Sequence, residues 1–177
     1  GYFENGSMND GLNTFVGAFE AQYGWSSGLL LSFSTYAGWI SIGGIILYGW
    51  LAKRKGARAT AIVALSLATV GMLVWSRAVS PAMYFLGVVL CSCSASAIMI
   101  IRDNTTNNWF PTKKGLAMGW VTMGPLLATA SILYLINWGG KKFGFHGYFD
   151  VIALAFLILL LIVIFWFRDY PEDKGCY

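Results

Sequence analysis

Five polar residues in this chain of 177 are candidates for binding or moving a charge: Glu4, Asp10 and Asn13 near the start, and the adjacent pair Arg102 and Asp103. A carboxylate removed from water loses its hydration, so Asp10, if buried, becomes a group that can take up and release a proton. A guanidinium holds a carboxylate through parallel charge-assisted hydrogen bonds. Arg102 therefore has three possible partners: an anionic ligand, its neighbour Asp103, or one of the early acids. A second group of charges, Lys53, Arg54, Lys55 and Arg58, falls in ten residues from Gly49 to Arg58, between two uncharged apolar runs.

What these residues can do depends on their surroundings, and composition decides that. The chain is 57% hydrophobic and only 11% charged, with a mean hydropathy of +0.62. Soluble domains are about 45–50% apolar and about 25% charged, so this is an all-α membrane protein by composition. Its pattern predicts six transmembrane helices over about 1–20 (the first one truncated), 27–48, 59–76, 81–108, 115–138 and 148–167, with a tail at 168–177. Most of these approach or exceed the roughly 20 residues needed to cross about 30 Å of hydrocarbon. Short loops rich in Lys and Arg stay inside. With the first span running outward, nine cations (Lys53, Arg54, Lys55, Arg58, Arg102, Lys113, Lys114, Arg168, Lys174) fall inside and three (Arg77, Lys141, Lys142) outside, in line with that rule.

Depth follows from this frame. If the first span emerges near Glu20, Asp10 lies about 15 Å in, near the bilayer midplane, and Glu4 lies deeper towards the cytoplasm. A polar tail is the other reading of this Asn- and Gly-bearing stretch. The fourth span has no firm break before Pro111, which places Arg102 about 10 Å inside the Trp109 boundary. Charges at that depth face a bundle interior or a wet cavity. Alternatively, Arg102 and Asp103 are interfacial, with the Arg snorkelling to lipid phosphate. Gly38, Ser41, Gly43 and Gly44 make a small-residue stripe suited to close helix packing. Cys91 and Cys93 are read as small packing residues, and His146, beside Lys141 and Lys142, as solvated surface.

Two stretches carry a family resemblance. Gly49, Leu51, Arg54, Gly56 and Arg58 match the Gly-x-Leu-x-Asp-Arg-x-Gly-Arg-Arg loop between the second and third helices of the major facilitator superfamily, with Lys53 where the family usually has Asp. Trp109-Phe110-Pro111-Thr112-Lys113-Lys114-Gly115-Leu116-Ala117-Met118-Gly119 resembles the junction between the fourth and fifth helices, especially in the branch of oxalate/formate and monocarboxylate transporters. Gln22-Tyr23-Gly24-Trp25-Ser26 and the tail after Arg168 resemble that branch as well, whereas Gly119 and Gly124-Pro125 match its antiporter motif only in part. The resemblance covers the whole chain but only half of a family member. It implies the N-terminal six-helix half of a major facilitator fold, a fragment of a secondary active transporter that moves a small solute by alternating access. In that family the first and fourth helices line the cavity, which makes Asp10, Glu4, Asn13, Arg102 and Asp103 the substrate or ion-coupling candidates. The loop Gly49, Leu51, Arg54, Gly56 and Arg58 is the implied conformational switch, and Trp109, Phe110, Pro111 and Gly115 mark the second junction.

The expected partners are the lipid bilayer, a small-molecule substrate of organic-anion type such as a carboxylate, and the missing C-terminal half; the expected location is the plasma membrane. Nucleic acid is not expected, because the cations form no continuous face. No cofactor, metal site or enzymatic activity is expected either, since His-Glu-x-x-His and Gly-x-Ser-x-Gly motifs are absent and there is a single histidine. A membrane structural or assembly protein that pairs with a second polypeptide is the alternative function.

Overall fold

The computed structural model describes residues 12–110 and 113–167, and every element in them is helical: α1 (Leu12–Tyr23), α2 (Ser27–Ser76), α3 (Pro81–Ala95), α4 (Ala97–Trp109), α5 (Lys114–Phe143) and α6 (Gly147–Trp166). Among the described residues, three stretches are long and apolar enough to cross a membrane: Ser27–Ser76, Pro81–Trp109 and Gly147–Trp166. The six-span pattern expected from the sequence is therefore matched only in part by length and apolarity.

α2 spans 50 residues but is two helical arms, because Gly56 has φ 82° and ψ 173°. Only glycine adopts that backbone without steric cost. The predicted basic loop is thus shorter in the structure: helix continues through Lys53, Arg54 and Lys55, and the break is confined to Gly56. The chain folds back there, as contacts with α3 and α4 show. Ser94 Oγ donates to the Ala64 carbonyl of the second arm at 2.6 Å, while a Cβ built on Gly44 of the first arm would stand 2.8 Å from Ser96 Oγ. Gly44 and Ala64 would lie about 30 Å apart along a straight helix, too far for both to reach residues two apart on one neighbour.

α3 and α4 run end to end across the fourth predicted span and are separated at Ser96. Ser96 Oγ donates to the Cys93 carbonyl at 2.6 Å, a local bond of the kind that loosens a helix and bends it. The second arm of α2 lies very close to α3. A Cβ on Gly71 would come within 2.8 Å of Cys91 Sγ, and one on Gly87 within 2.8 Å of Trp75 Cα. Cys91 is buried at that contact, in keeping with a packing role.

The core is aromatic at the end of the bundle where α1 leaves. Phe15 stacks on Phe149 at 4.7 Å and meets Trp75 edge-on at 5.0 Å, and Phe19 meets Tyr84 edge-on at 4.9 Å. All five rings are essentially inaccessible, so α1, the second arm of α2, α3 and α6 share one core. Such ring pairs each add about 0.5–1.5 kcal/mol beyond their buried area. On the outside, Ile46, Leu47, Phe165 and Trp166 are 61–75% exposed, an apolar perimeter that suits hydrocarbon.

Candidate functional site

Arg102 and Asp103 are brought together on α4. Arg102 Nε donates to Asp103 Oδ1 at 2.9 Å, and the two side chains are 28% and 46% accessible. Of the partners open to Arg102, the structure thus places Asp103 against it. One edge donor of the guanidinium is used, which leaves the terminal nitrogens without a partner among the described residues.

Arg102 also lines a cavity of about 480 Å³, within the usual range for a small-ligand site. α4 supplies Ile98, Ile101, Arg102, Thr105 and Thr106. The second arm of α2 supplies Ala61, Ala64 and Leu65, α5 supplies Val121 and Gly124, and Leu159, Val163 and Phe167 close it from α6 and the residue after it. Thr105 Oγ1 is buried with no hydrogen-bond partner among the described residues, and Thr106 is 4% exposed. The result is an apolar chamber with a cation and two hydroxyl groups on one wall.

Near the cavity's α6 wall, Arg58 Nη2 donates to the Ile164 carbonyl at 2.5 Å. That carbonyl belongs to the last turn of α6, where the final four have no intrahelical partner and the helix dipole favours a cation. Within the same loop Arg54 lies over the Trp50 ring at 4.5 Å, whereas Lys53 is exposed. Gly49 and Leu51 are half-buried. At the second junction Trp109 ends α4 half-buried, Phe110 is 51% exposed, and Gly115 opens α5 on an exposed face. Pro111 lies outside the described residues, as do Glu4 and Asp10; Asn13 is exposed in the first turn of α1.

The family model of the Major Facilitator Superfamily matches residues 1–176. The chain belongs to the major facilitator superfamily. Among curated relatives, this facilitator chain is 34% identical over 95 residues to the oxalate:formate antiporter of Oxalobacter formigenes, a match covering 54% of the chain and 22% of that protein. It is 26% identical over 189 positions to the choline/ethanolamine transporter flvcr2a of Danio rerio, covering 85% of the chain and 37% of that protein. The chain thus spans between about a fifth and two-fifths of the length of these relatives. Membership together with the long apolar helices makes it an integral membrane protein.

One cluster in this facilitator was not singled out by sequence reasoning. Ser76, the last residue of α2 and 1% exposed, donates from Oγ to Asp150 Oδ1 at 3.1 Å. His146 Nδ1 lies 2.9 Å from the Ser76 carbonyl and 3.2 Å from its Oγ. The histidine read as solvated surface is exposed, but it also ties the start of α6 to the end of α2. A signal was present: His146 and Asp150 are four apart at a helix start, which puts them on one face.

Proposed function

We propose that the full-length protein is a secondary active transporter of a small organic anion, in which this chain supplies the N-terminal six-helix half. α1, the two arms of α2, α3 with α4, α5 and α6 supply the six spans in this reading. The single observation that carries it is Arg102, a partly buried cation whose terminal nitrogens have no partner among the described residues, lining a 480 Å³ cavity inside helices that match a facilitator family. The names of the relatives, an oxalate:formate antiporter and a choline/ethanolamine transporter, support a small-solute cargo.

Transport proceeds by alternating access, the two halves rocking about a site between or within them, with the glycine break at Gly56 and the loop from Gly49 to Arg58 as the cytoplasmic switch. The missing C-terminal half is the partner of this chain. The first arm of α2 and α5 carry the faces that support this, since Tyr36, Trp39, Trp120 and Tyr134 are each at least 60% exposed. Asp10 and Glu4 on the first span serve ion coupling, Asn13 and Asp103 assist, and the protein resides in the plasma membrane.

The test is uptake of radiolabelled carboxylates by vesicles containing the full-length protein, with and without a pH gradient. Saturable uptake lost on Arg102→Ala is the expected result, and loss of gradient dependence on Asp10→Asn is expected for the coupling role. Correctly inserted protein that takes up no carboxylate would overturn the organic-anion reading.

A further inference from the structure

The chemistry of the cavity says more than that its ligand is an anion. Its polar groups, Arg102, Thr105 and Thr106, all come from α4 and are spaced over little more than one helical turn, so they sit together on one wall. The opposite walls are hydrocarbon: Ala61 and Leu65 of α2, Val121 of α5, and Leu159 and Val163 of α6. Two charges are present near the polar wall, but Asp103 already takes the Nε edge of Arg102, leaving the terminal nitrogens for one further acid group. Thr105 Oγ1, buried and unpartnered among the described residues, is a hydroxyl in need of an acceptor beside that guanidinium.

We propose that this cavity binds an amphipathic monoanion, with its single acid group on Arg102 and Thr105 and an alkyl or aryl body against the hydrocarbon walls. A compact dianion fits poorly, because Arg102 is the one cation among the described lining residues and already carries Asp103, so a second negative charge finds no counter-charge in the cavity. An uncharged amphiphile of the same shape fits poorly for the opposite reason, since it leaves the Arg102 donors and Thr105 Oγ1 unmet. This assignment names the solute class for the transport reading and rests on it for the transport step, but the binding step can be tested by itself.

Purified full-length protein in phosphatidylcholine nanodiscs is titrated with radiolabelled octanoate, with oxalate and octanol as competitors. Saturable octanoate binding is expected, with each competitor weaker by about tenfold or more. Arg102→Gln raises the octanoate Kd by about tenfold or more, because the charge-assisted bonds are lost. Gly124→Leu places a side chain on the cavity wall where a Cβ meets nothing within 4 Å, so it shortens the chamber and weakens octanoate more than acetate. A thermal melt of each variant separates lost binding from lost fold, and Arg102→Lys, which keeps the charge, restores part of the affinity.

Oxalate competing as well as octanoate would overturn the proposal, as would octanoate binding that ignores both Arg102→Gln and Gly124→Leu. Octanoate displaced by anionic phosphatidylglycerol in the nanodisc, in wild type but not in Arg102→Gln, would assign the site to a lipid headgroup and overturn the solute. Octanoate bound with the expected Arg102 dependence, while no carboxylate is transported, would support this assignment and sink the transport reading.

Discussion

Gly87→Ala probes the closest helix contact in the core. A Cβ at this position would stand 2.7 Å from Trp75 Cβ, 2.8 Å from Trp75 Cα and 2.9 Å from Trp75 N. Two of these atoms are backbone and the third is fixed to it, so no rotamer change relieves the clash, and α3 must move from the second arm of α2 by about 0.7 Å to restore ordinary contact at 3.4 Å. That movement loosens Tyr84 and Trp75, both fully buried and 5.6 Å apart in the aromatic core. Overpacking of this kind costs about 1–3 kcal/mol. At about 2 °C per kcal/mol for a larger protein, the melting temperature of the full-length protein falls by about 2–6 °C. The assay is a thermal melt in detergent followed by size-exclusion fluorescence. Gly119→Ala is the control: nothing lies within 4 Å of its Cβ, and alanine is the better helix former by about 1 kcal/mol, so its melt stays level or rises. A Gly87→Ala melt at or above wild type would refute the reasoning, as would an equal loss in Gly119→Ala.

Three further outcomes are expected in the same assay. Gly56→Ala forces a side chain into a backbone region (φ 82°, ψ 173°) that essentially only glycine occupies, at a cost of about 1–3 kcal/mol, and Gly56→Asn, whose tolerance is for the αL region, loses as much. Arg58→Gln removes the cation from the Ile164 carbonyl and destabilises by about 1–2 kcal/mol; Arg58→Lys recovers part of it, and no change would show that the end of α6 is held by packing alone. Ser76→Ala and Asp150→Asn, separately and together, give a double-mutant coupling of about 0.5–1.5 kcal/mol, whereas strict additivity would mean that the 3.1 Å bond contributes nothing.

The parts of this architecture that depend on chain-local physics were legible in the sequence. Continuous apolarity marked the long helices, and the basic stretch from Gly49 to Arg58 marked the turn between the two arms, which the structure narrows to Gly56. Tertiary detail was not legible. The stripe of Gly38, Ser41, Gly43 and Gly44 read as a packing face, yet a Cβ on Gly38 or Gly43 would meet nothing within 4 Å, whereas one on Gly44 meets Ser96 and Cys93. Small residues permit close approach, but the partner's position decides which of them is used. For the same reason His146 looked like surface: its bond to Ser76 joins residues 70 apart, and no local pattern encodes that pairing. Arg102 was found because a charge in an apolar run is conspicuous, whereas Thr105 and Thr106, which share its cavity, look like ordinary helix residues.

The departure at Lys53 acquires a physical meaning in this setting. An acid at that position could pair with a nearby cation, but a lysine cannot, and Lys53 is exposed. Its neighbours are held otherwise: Arg54 rests on the Trp50 ring one turn earlier, and Arg58 reaches the last turn of α6. A cation-π contact at an exposed site contributes about 0.5–1 kcal/mol, and a charged bond to an orphan helix carbonyl about 1.5–3 kcal/mol, so Arg58 dominates the anchoring. Both contacts lie within this bundle. The basic loop is therefore fastened to α6 at Ile164, beside Val163, which walls the cavity.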